Sequence, residues 1–418
     1  MKRLIFRSVL SVAIAFLLVV SSSEKTHAQA VGVLLQNNLM PASGGMGGAS
    51  IARPQDVQSA LGANPATLSQ RKGTQFSFSG AWVEPTITID NDTTLPLANI
   101  TPFEAKSKRP GSLVGNIGLT QDITALGVPA TLGMGLLTSS GLGVNYRDAI
   151  ESNGTSAELA ILATAMGAGV ELTDRLSIGV EAVVATANMD GIFTGVSSAT
   201  PDYNLRAMLG FTYELTEATT VGGFWHTQQK HTFDDFVRFL GPGNPFQDLS
   251  IALPNVYGLG IANNALVDGR LLLALDLNYF AWSEADFFRA IWDDQFTIQA
   301  GLQYTTCQGI HYRLGYTYAE DASSDVVTGS IGGISPQSSV DYIQALFPNF
   351  SEHRISGGIG VKDILPGVDL DLFAGGMFND THRFNQTAAS AESYWVGFGT
   401  TWRFGRGGCK HLCVPERW

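Results

Sequence analysis

The side chains that could carry out catalysis or bind a metal ion are few in this sequence, and they are scattered along it. No Gly-x-Ser-x-Gly elbow, His-Glu-x-x-His motif or Cys-x-x-Cys pair occurs. His226 and His231 could share a metal ion, but their spacing matches no zinc site. The glycines at 45–48 and 141–143 lack the lysine and the strand–turn–helix setting of a phosphate-binding loop. We therefore expect a protein that is not an enzyme and that holds neither a metal ion nor a cofactor.

Two pairs of adjacent aspartates are the remaining acidic candidates. Asp234-Asp235 and Asp293-Asp294 both fall in predicted external loops. There they would either bind divalent cations together with lipopolysaccharide phosphates or remain solvated loop charges. Solvated charge is the simpler interpretation.

Cysteine chemistry is limited to three residues. Cys409 and Cys413 bracket Lys-His-Leu near the C-terminus, where they would either form a local disulfide in the periplasm or stay reduced. Cys307 would then be left unpaired. Three cysteines in 418 residues provide no disulfide scaffold, so the fold must have another source of stability.

The composition narrows the class of protein. Only 15% of the residues are charged, 44% are hydrophobic, and the mean hydropathy is +0.10. Such a chain is too apolar and too weakly charged to be intrinsically disordered. The net charge of −12 also argues against a nucleic-acid partner, since phosphate binding needs a basic surface.

Residues 1–30 have the features of a secretory signal peptide. Basic residues at the start precede a short apolar run over 8–20, and small-residue cleavage sites follow at Thr26-His27-Ala28 or Ala28-Gln29-Ala30. The run is shorter than the roughly 20 residues that span a bilayer, which disfavours the alternative of an uncleaved membrane anchor. After residue 30 no stretch of 18 apolar residues occurs, so we expect either a soluble secreted protein or an outer-membrane barrel.

A hydrophobic pattern with a period of two favours the barrel. In the segment 271–281, leucines and Tyr279 alternate with Asp276, Asn278 and other polar or small residues. Strict alternation predicts a sheet with one apolar face and one polar or small face. The same pattern recurs in four further segments: 176–184, 206–215, 298–304 and 312–318.

The connections between such segments fall into two length classes. Short links lie near 121–127, 172–175, 215–218, 263–270, 305–310 and 362–367. Mostly longer ones lie at 90–109, 145–155, 188–203, 231–250, 283–294, 320–350 and 380–392. Short turns at one end and long loops at the other are typical of outer-membrane barrels. The breaks predict an all-β fold with 14 antiparallel transmembrane strands over 74–404, rather than a soluble β-protein.

The final strand and the aromatic residues also indicate an outer-membrane barrel. Residues 394–404 alternate and end in Phe404, which is similar to the signal read by the bacterial barrel-assembly machinery, although a tail over 405–418 follows. We expect this tail to lie in the periplasm. Aromatic residues near the strand ends suit interfacial girdles: Trp82, Tyr279, Trp282, Trp292, Tyr394, Trp395 and Trp402.

Residues 31–73 show no alternation and precede the first predicted strand. Four glycines crowd 44–48, residues 56–61 suit a helical turn, and Asn64-Pro65-Ala66 makes a tight turn. About 40 residues of compact chain before a barrel predict a hatch, or plug, folded inside the lumen. A soluble periplasmic arm is the alternative.

Together these segments resemble the FadL/TodX-type outer-membrane transporters of long-chain fatty acids and other hydrophobic compounds. Asn64-Pro65-Ala66 is similar to the hatch motif of that family. The other similar segments are 45–50, 251–254, 276–283, 312–316 and 353–356. The likeness covers nearly the whole chain after the signal peptide.

The resemblance implies a monomeric barrel, closed by the hatch, that takes up a hydrophobic small molecule and releases it sideways into the membrane. Transport would be passive, and the partners would be outer-membrane lipids, lipopolysaccharide and, during biogenesis, the barrel-assembly machinery. Two alternatives remain. One is a structural or adhesive barrel whose loops 231–250 and 320–350 bind a partner, and the other is an outer-membrane enzyme with a Ser/His pair on the barrel wall.

The charge that would hold a ligand's head group is not where the resemblance places it. Members that carry fatty acids pair the carboxylate with basic side chains near the middle of the lumen. The fifth predicted strand, 176–193, contains no lysine or arginine, and Gly191 stands where the family has an arginine. We therefore expect neutral or weakly polar ligands, with Arg206, Arg289 and Arg313 as charge partners from other segments if a carboxylate binds.

The exit from the lumen is predicted in the third strand. Its alternation breaks at Ser139-Ser140-Gly141-Leu142-Gly143, and glycine inside a strand often marks a bulge or a bend. The family has a kink in this strand, at the position of Gly141. Together with Ser140 and Gly143, this glycine would open a side window that the turn at Asn64-Pro65-Ala66 caps, because unpaired backbone in lipid is costly. A plain strand glycine without an opening is the alternative, and Gly141→Phe should block the window if it exists.

Overall fold

The computed structural model describes residues 37–96, 98–190, 200–237, 245–324, 331 and 337–404. The strands in these ranges are β1 (Thr74–Asn91), β2 (Phe103–Lys106), β3 (Ser112–Asp122), β4 (Ala130–Asn145), β5 (Ser156–Glu171), β6 (Leu176–Asp190), β7 (Thr200–Thr216), β8 (Thr219–His226), β9 (Gln229–Val237), β10 (Gln247–Leu253), β11 (Asn255–Leu266), β12 (Leu271–Ala281), β13 (Gln295–Thr305), β14 (Ile310–Ala319), β15 (His353–Leu365), β16 (Val368–Phe384) and β17 (Thr387–Phe404). The predicted signal peptide at 1–30, the tail at 405–418 and Gly191 lie outside the described residues.

Fourteen of these strands close into one antiparallel barrel. The hydrogen-bonded order runs β1-β3-β4-β5-β6-β7-β8-β11-β12-β13-β14-β15-β16-β17, and β17 pairs back with β1. β2 adds to one end of β1, whereas β9 and β10 form a separate hairpin. A closed ring leaves no edge strand to pair with other chains. The predicted all-β fold of 14 antiparallel strands is confirmed.

The outward-facing side chains of the ring are apolar and exposed. Leu132, Met134 and Leu136 of β4 are 46%, 48% and 39% exposed, whereas the glycines between them are buried. β6 and β12 show the same alternation. Proteins that live in water rarely expose so continuous an apolar belt, so this barrel is built to cross a membrane through its strands.

The connections at the two ends of the barrel differ in length, as predicted. At one end, which we call the inner end, short turns join neighbouring strands at 123–129, 172–175, 217–218, 267–270, 306–309 and 366–367. Most connections at the opposite end, the outer end, are longer. Both β1 and β17 have their free ends at the inner end.

In several places strands occupy residues where the sequence predicts loops, and two of these places are extensive. The expected loop 380–392 is a continuation of β16 and β17, joined by Asn385 and Gln386 alone, and Asn385 has φ +54°. The expected loop 231–250 contains most of the β9–β10 hairpin. Alternation cannot predict these parts because, beyond the apolar belt, neither face of a strand needs to be hydrophobic.

The two α-helices of the described residues are not part of the barrel wall. α1 (Val57–Gly62) belongs to the N-terminal segment, together with short 3-10 helices at Asn37–Leu39, Ser43–Met46 and Pro65–Gln70. α2 (Gln337–Leu346) lies in the long connection between β14 and β15. Within the described ranges, neither helix has the length and hydropathy needed to cross a membrane.

Candidate functional site

Residues 37–73, which we call the hatch segment, fill part of the lumen, where the sequence predicts a plug. Most of its residues are buried although little of it is regular structure. Asp56 organises it, because this buried carboxylate caps α1 by accepting the Ser59 N–H at 2.7 Å. The same carboxylate accepts the Ala42 N–H at 2.9 Å. One charged group thus ties the start of α1 to the preceding turn, and these hydrogen bonds offset the cost of its burial.

The hatch segment is anchored to the barrel wall at β12 and β14. Asp276 Oδ2 of β12 accepts the backbone N–H groups of Ser50 at 2.6 Å and Ile51 at 2.9 Å. Thr317 of β14 donates its hydroxyl to the Gly47 carbonyl at 2.7 Å. Gly47 has φ +67°, and a side chain there would meet the backbone of β14. The glycine cluster of the sequence is therefore a docking loop.

The Asn64-Pro65-Ala66 turn docks against another part of the wall, formed by β5 to β8. Asn64 Nδ2 donates to the Ile51 carbonyl at 2.9 Å and to the Phe211 carbonyl of β7 at 3.0 Å. Asn64 Oδ1 accepts the Ala66 N–H at 3.1 Å and so caps the next helical turn. The wall facing the hatch segment here consists of residues without side chains, where a Cβ atom would collide with hatch atoms: Gly169, Gly179, Gly210 and Gly222.

A cavity of about 60 Å³ lies between the hatch segment and the barrel wall. Eight strands contribute to its lining, and the side chains important below are Ser139, Arg206, Phe224, His226, Phe280 and Arg354. The lining is mixed, with two aromatic rings beside several polar groups. The volume suits a carboxylate group or a few water molecules.

Two arginines of this lining have no acidic partner among the described residues. Arg206 of β7 and Arg354 of β15 are only 8% and 3% exposed. Each makes one long hydrogen bond, to the Pro254 carbonyl at 3.3 Å and to the Ser351 carbonyl at 3.4 Å respectively. The Nε atoms of both have no partner. Buried guanidinium groups without a counter-charge are costly, so this cavity is electrostatically prepared for an anion.

Of the three arginines predicted as charge partners, only Arg206 lines the cavity. Arg289 is exposed and pairs with an acid of its own loop. Arg313 is buried, but Asp371 neutralises it at 2.5 Å. Sequence reasoning missed Arg354, which supplies the second charge.

The two histidines considered as a metal pair lie in different places. His226 lines the cavity, and its Nε2 is 2.7 Å from the Ala63 carbonyl. His231 belongs to the β9–β10 hairpin, where its Nδ1 is 2.9 Å from Asp202 Oδ2. In the part of the chain that the structure describes, no group of three or more His, Cys, Asp or Glu residues could hold a metal ion.

The paired aspartates have structural contacts within their loops. Asp294 accepts the Tyr279 hydroxyl at 2.6 Å and the Ser283 N–H at 2.8 Å. The backbone N–H of Asp235 donates to Asp248 Oδ1 at 2.9 Å. These contacts order the loops.

The prediction that Cys307 is unpaired is wrong. Cys307 lies in the turn between β13 and β14 at the inner end, and it is disulfide-bonded. Cys409 and Cys413, the other cysteines of the chain, lie outside the described residues. The unpaired state of Cys307 is expected only together with a local Cys409–Cys413 bridge, one of two alternatives that the sequence leaves open.

The barrel wall is open between β3 and β4. The two strands pair over six residues, from Ile117 opposite Leu136 to the inner end of both. Towards the outer end, residues 113–116 of β3, all of which the structure describes, have no register partner in β4. β4 itself continues to Asn145 and stays paired with β5. We call this opening the gap.

An extra residue in β4 marks the start of the gap. β4 pairs regularly with β5 up to Thr138 and resumes at Ser140, which makes Ser139 a bulge. Ser139 also lines the cavity, so the cavity and the gap meet at this residue. The sequence predicts a break in alternation over 139–143 with the kink at Gly141. The bulge lies at the first residue of that stretch, Ser139, and Gly141 pairs regularly with Ala160.

Beyond the bulge, β4 leaves the lipid-facing surface. Exposed and buried residues alternate up to Leu136. After the bulge, Ser140, Gly141, Gly143 and Val144 are all buried. This change of pattern is what an inward displacement of the strand produces.

Polar side chains close the inner edge of the gap. Asn116 Oδ1 accepts the Thr138 N–H at 2.8 Å. This side-chain oxygen takes the place of the backbone carbonyl that β3 would supply if it were paired with β4 here. Gln58 of α1 is fully buried and donates its amide to the Asn116 carbonyl at 3.2 Å. Unpaired backbone next to lipid needs such partners. The hatch segment therefore caps the gap, but through Gln58 rather than through Asn64-Pro65-Ala66.

Solved structures with this fold include several transporters. The toluene transporter TodX of Pseudomonas putida has a TM-score of 0.64 and 17% identity, over 87% of this chain and 98% of that chain. A Pseudomonas aeruginosa FadL homologue has a TM-score of 0.62 and 13% identity, over 91% of this chain and 100% of that chain. The Ralstonia pickettii toluene transporter TbuX has a TM-score of 0.57 and 16% identity, over 87% of this chain and 98% of that chain.

At these identities the likeness concerns the fold, and at that level it confirms the predicted resemblance. No protein-family model matches the sequence. No curated protein matches it either.

Proposed function

We propose that this protein is an outer-membrane channel for the passive uptake of hydrophobic small molecules, which leave its lumen sideways through the gap. The observation that carries the proposal is the position of Ser139, which belongs both to the cavity and to the edge of the gap. The exposed apolar belt supports a membrane location. The fold shared with proteins described as toluene transporters supports a channel rather than an enzyme.

Sideways release suits a ligand that is poorly soluble in water. A molecule that moves from the cavity through the gap keeps its apolar surface out of water, which saves about 25 cal/mol per Å². The direct route along the barrel axis is obstructed by the hatch segment, which Asp276, Thr317 and Asn64 hold to the wall. A lateral path therefore needs less rearrangement than an axial one.

The preferred ligands of this proposed channel carry an anionic head group. Arg206 and Arg354 would pair with a carboxylate, and such charge-assisted hydrogen bonds are stronger than neutral ones. Phe224 and Phe280 line the same cavity and would contact the apolar part next to the head group. This preference for an anionic head group departs from the expectation of neutral ligands, which rests on the absence of lysine and arginine from 176–193.

Binding measurements on the purified protein test this function. We expect a long-chain fatty acid to bind about tenfold more tightly than its methyl ester, because only the acid pairs with the guanidinium groups. The double variant Arg206→Gln, Arg354→Gln should lose this preference. Arg289→Gln, which changes an exposed arginine outside the cavity, should keep it. Equal affinities for acid and ester would overturn the head-group assignment, and a protein that binds neither would favour the adhesive barrel.

Surface labelling tests the orientation in the outer membrane. Tags inserted at 231–250 or 320–350 should be accessible on intact cells, because these connections lie at the outer end. Tags at 172–175 or 267–270 lie in inner-end turns and should be labelled only after permeabilisation. Equal labelling of both sets would contradict the topology.

A further inference from the structure

The segment between β2 and β3, residues 107–111, lies beside the outer part of β4. We call this segment the strap. The Lys108 N–H donates to the Asn145 carbonyl at 2.8 Å, and Ser107 Oγ accepts the Asn145 N–H at 3.0 Å. The strap thus takes the place that β3 would occupy next to the end of β4.

The part of β4 near the strap presents glycines to the outside. In β5, Leu162 is 42% exposed on the outer face of the barrel, and Glu158 and Ala160 share that face because side chains alternate. Gly141 and Gly143 are paired with Ala160 and Glu158, so they face outwards as well. Both glycines are nevertheless buried, which means that another part of the chain covers this face.

One side chain of the strap reaches across β4 to β5. Arg109 forms an ion pair with Glu158, and their side chains are only 9% and 11% exposed. A second pair, Arg147 with Asp190 at 3.4 Å, lies beside it, since Glu158 and Asp190 are opposite each other in β5 and β6. Burial lowers the pKa of Arg109 to about 10, which leaves the guanidinium charged at neutral pH.

We propose that the strap is a lid over the outer part of the gap and that the Arg109–Glu158 ion pair is the latch that holds it closed. This inference rests on the proposed sideways release. Besides the latch, the two hydrogen bonds to Asn145 fasten the strap to β4, and the Ser107 N–H donates to the Ile87 carbonyl of β1 at 2.8 Å. So small a set of polar contacts breaks and re-forms without unfolding the barrel, and a ligand leaving the cavity at Ser139 passes when the strap moves away.

A disulfide across the lid tests this movement. Lys108→Cys with Asn145→Cys joins the strap to β4, and Thr88→Cys with Ser390→Cys is a matched control between the register partners of β1 and β17. We expect the oxidised lid variant to take up a fluorescent long-chain carboxylate about tenfold more slowly than wild type, with recovery on reduction. The oxidised control variant should take up the carboxylate at the wild-type rate. Because the control is treated with the same reductant, it also shows whether reduction alone changes uptake. Normal uptake by the oxidised lid variant would overturn the proposal.

Charge substitutions test the latch itself. Glu158→Gln should raise the initial uptake rate by about two- to fivefold, because the closed state loses its ion pair. The exchange Arg109→Glu with Glu158→Arg restores opposite charges and should return the rate towards wild type. Heat-dependent mobility on gels reports whether each variant forms the barrel. Unchanged rates in folded Glu158→Gln protein, or no rescue by the exchange, would show that the pair is not a latch.

Failure of the lid can be separated from failure of sideways release. Deleting Ser139 removes the bulge and so tests the gap without touching the strap. If this deletion abolishes uptake while the locked strap transports normally, the gap is the path and the lid is overturned. If neither change affects uptake, the proposed release route is overturned together with the lid.

Discussion

Two parts of the same barrel wall, on either side of β1, are built in opposite ways. β1 and β17 pair without interruption over 18 residues, whereas β3 and β4 pair over six. Strand length does not explain the difference, because β4 has 16 residues and continues past the gap against β5. The cause lies within β4, where one extra residue and several small ones turn the strand away from β3. A few residues in one strand are therefore enough to open a closed sheet.

The two regions also differ in the contacts that hold them. Cross-strand aromatic pairs join β1 to β17, with ring centroids 5.5 Å apart for Phe76 and Trp402 and 6.0 Å apart for Phe78 and Phe398. At the gap, a side-chain amide, that of Asn116, replaces a missing backbone bond. The continuous pairing has redundant contacts, whereas the gap depends on single ones. We expect substitutions in the two regions to have unequal effects.

Deleting Ser139 should have the largest effect, because it makes the two regions alike. Thr138 and Ser140 then become neighbours, and the ladder with β5 becomes regular. Uptake of a long-chain carboxylate by intact cells should fall about tenfold or more, since the free edge of β4 can then pair with β3. Wild-type uptake by a correctly folded deletion variant would mean that the gap is not the path.

Gly210→Ala should have the next largest effect, through the hatch segment rather than the gap. The added Cβ would collide with Asn64 Oδ1, so we expect a loss of about 1–3 kcal/mol in the free energy of unfolding and a higher ion conductance in planar bilayers. Gly115→Ala is the control beside the gap, because a Cβ there meets nothing within 4 Å. Equal conductance of the two variants would refute the docking role of Gly210.

Gln58→Ala should weaken the inner edge of the gap. It leaves the Asn116 carbonyl buried without its hatch partner, which should cost about 1–2 kcal/mol in thermal unfolding. The variant also loses the hydrogen bonds of Gln58 with Ser77 and Ser79. Gln70→Ala removes one hydrogen bond of the hatch segment, to the Ala52 carbonyl, at a half-buried position away from the gap. The control should therefore cost less, and an equal loss in both variants would argue against the capping role of Gln58.

Phe398→Ala should have the smallest effect. It removes one aromatic pair from the β1–β17 pairing, worth about 0.5–1.5 kcal/mol, while the backbone ladder remains complete. Thermal unfolding should shift slightly and uptake should stay at the wild-type rate. A large loss of uptake would show that the continuous pairing is as sensitive as the gap.

The barrel and the docking turn could be predicted because both have local signals. Alternation is imposed on each strand by the lipid on one side, so strands such as β12 are visible without knowledge of their partners. The turn at Asn64-Pro65-Ala66 combines a capping side chain with a proline at the first helical position, which any single sequence shows.

The gap and the cavity could be predicted only in part, because their geometry depends on pairing. Over residues 139–141 small side chains occupy both faces of β4, so alternation cannot show which residue is the extra one. Gln58 lies 58 residues from the carbonyl that it caps. Arg354 looks like any strand arginine until the fold shows that no described acid faces it. Such roles arise from contacts between distant segments.

The anchors of the hatch segment also determine the order in which the chain folds. Its hydrogen bonds to Asp276, Thr317 and Ser356 join residues that are 226, 270 and 309 positions apart. Contacts at such separations form late, because the entropy of closing long loops must be overcome first. A segment that is synthesised before the barrel strands therefore docks after them, once β12 to β15 are paired. Substitutions in these anchors should slow the docking of the hatch segment and leave the pairing of β12 to β15 unchanged.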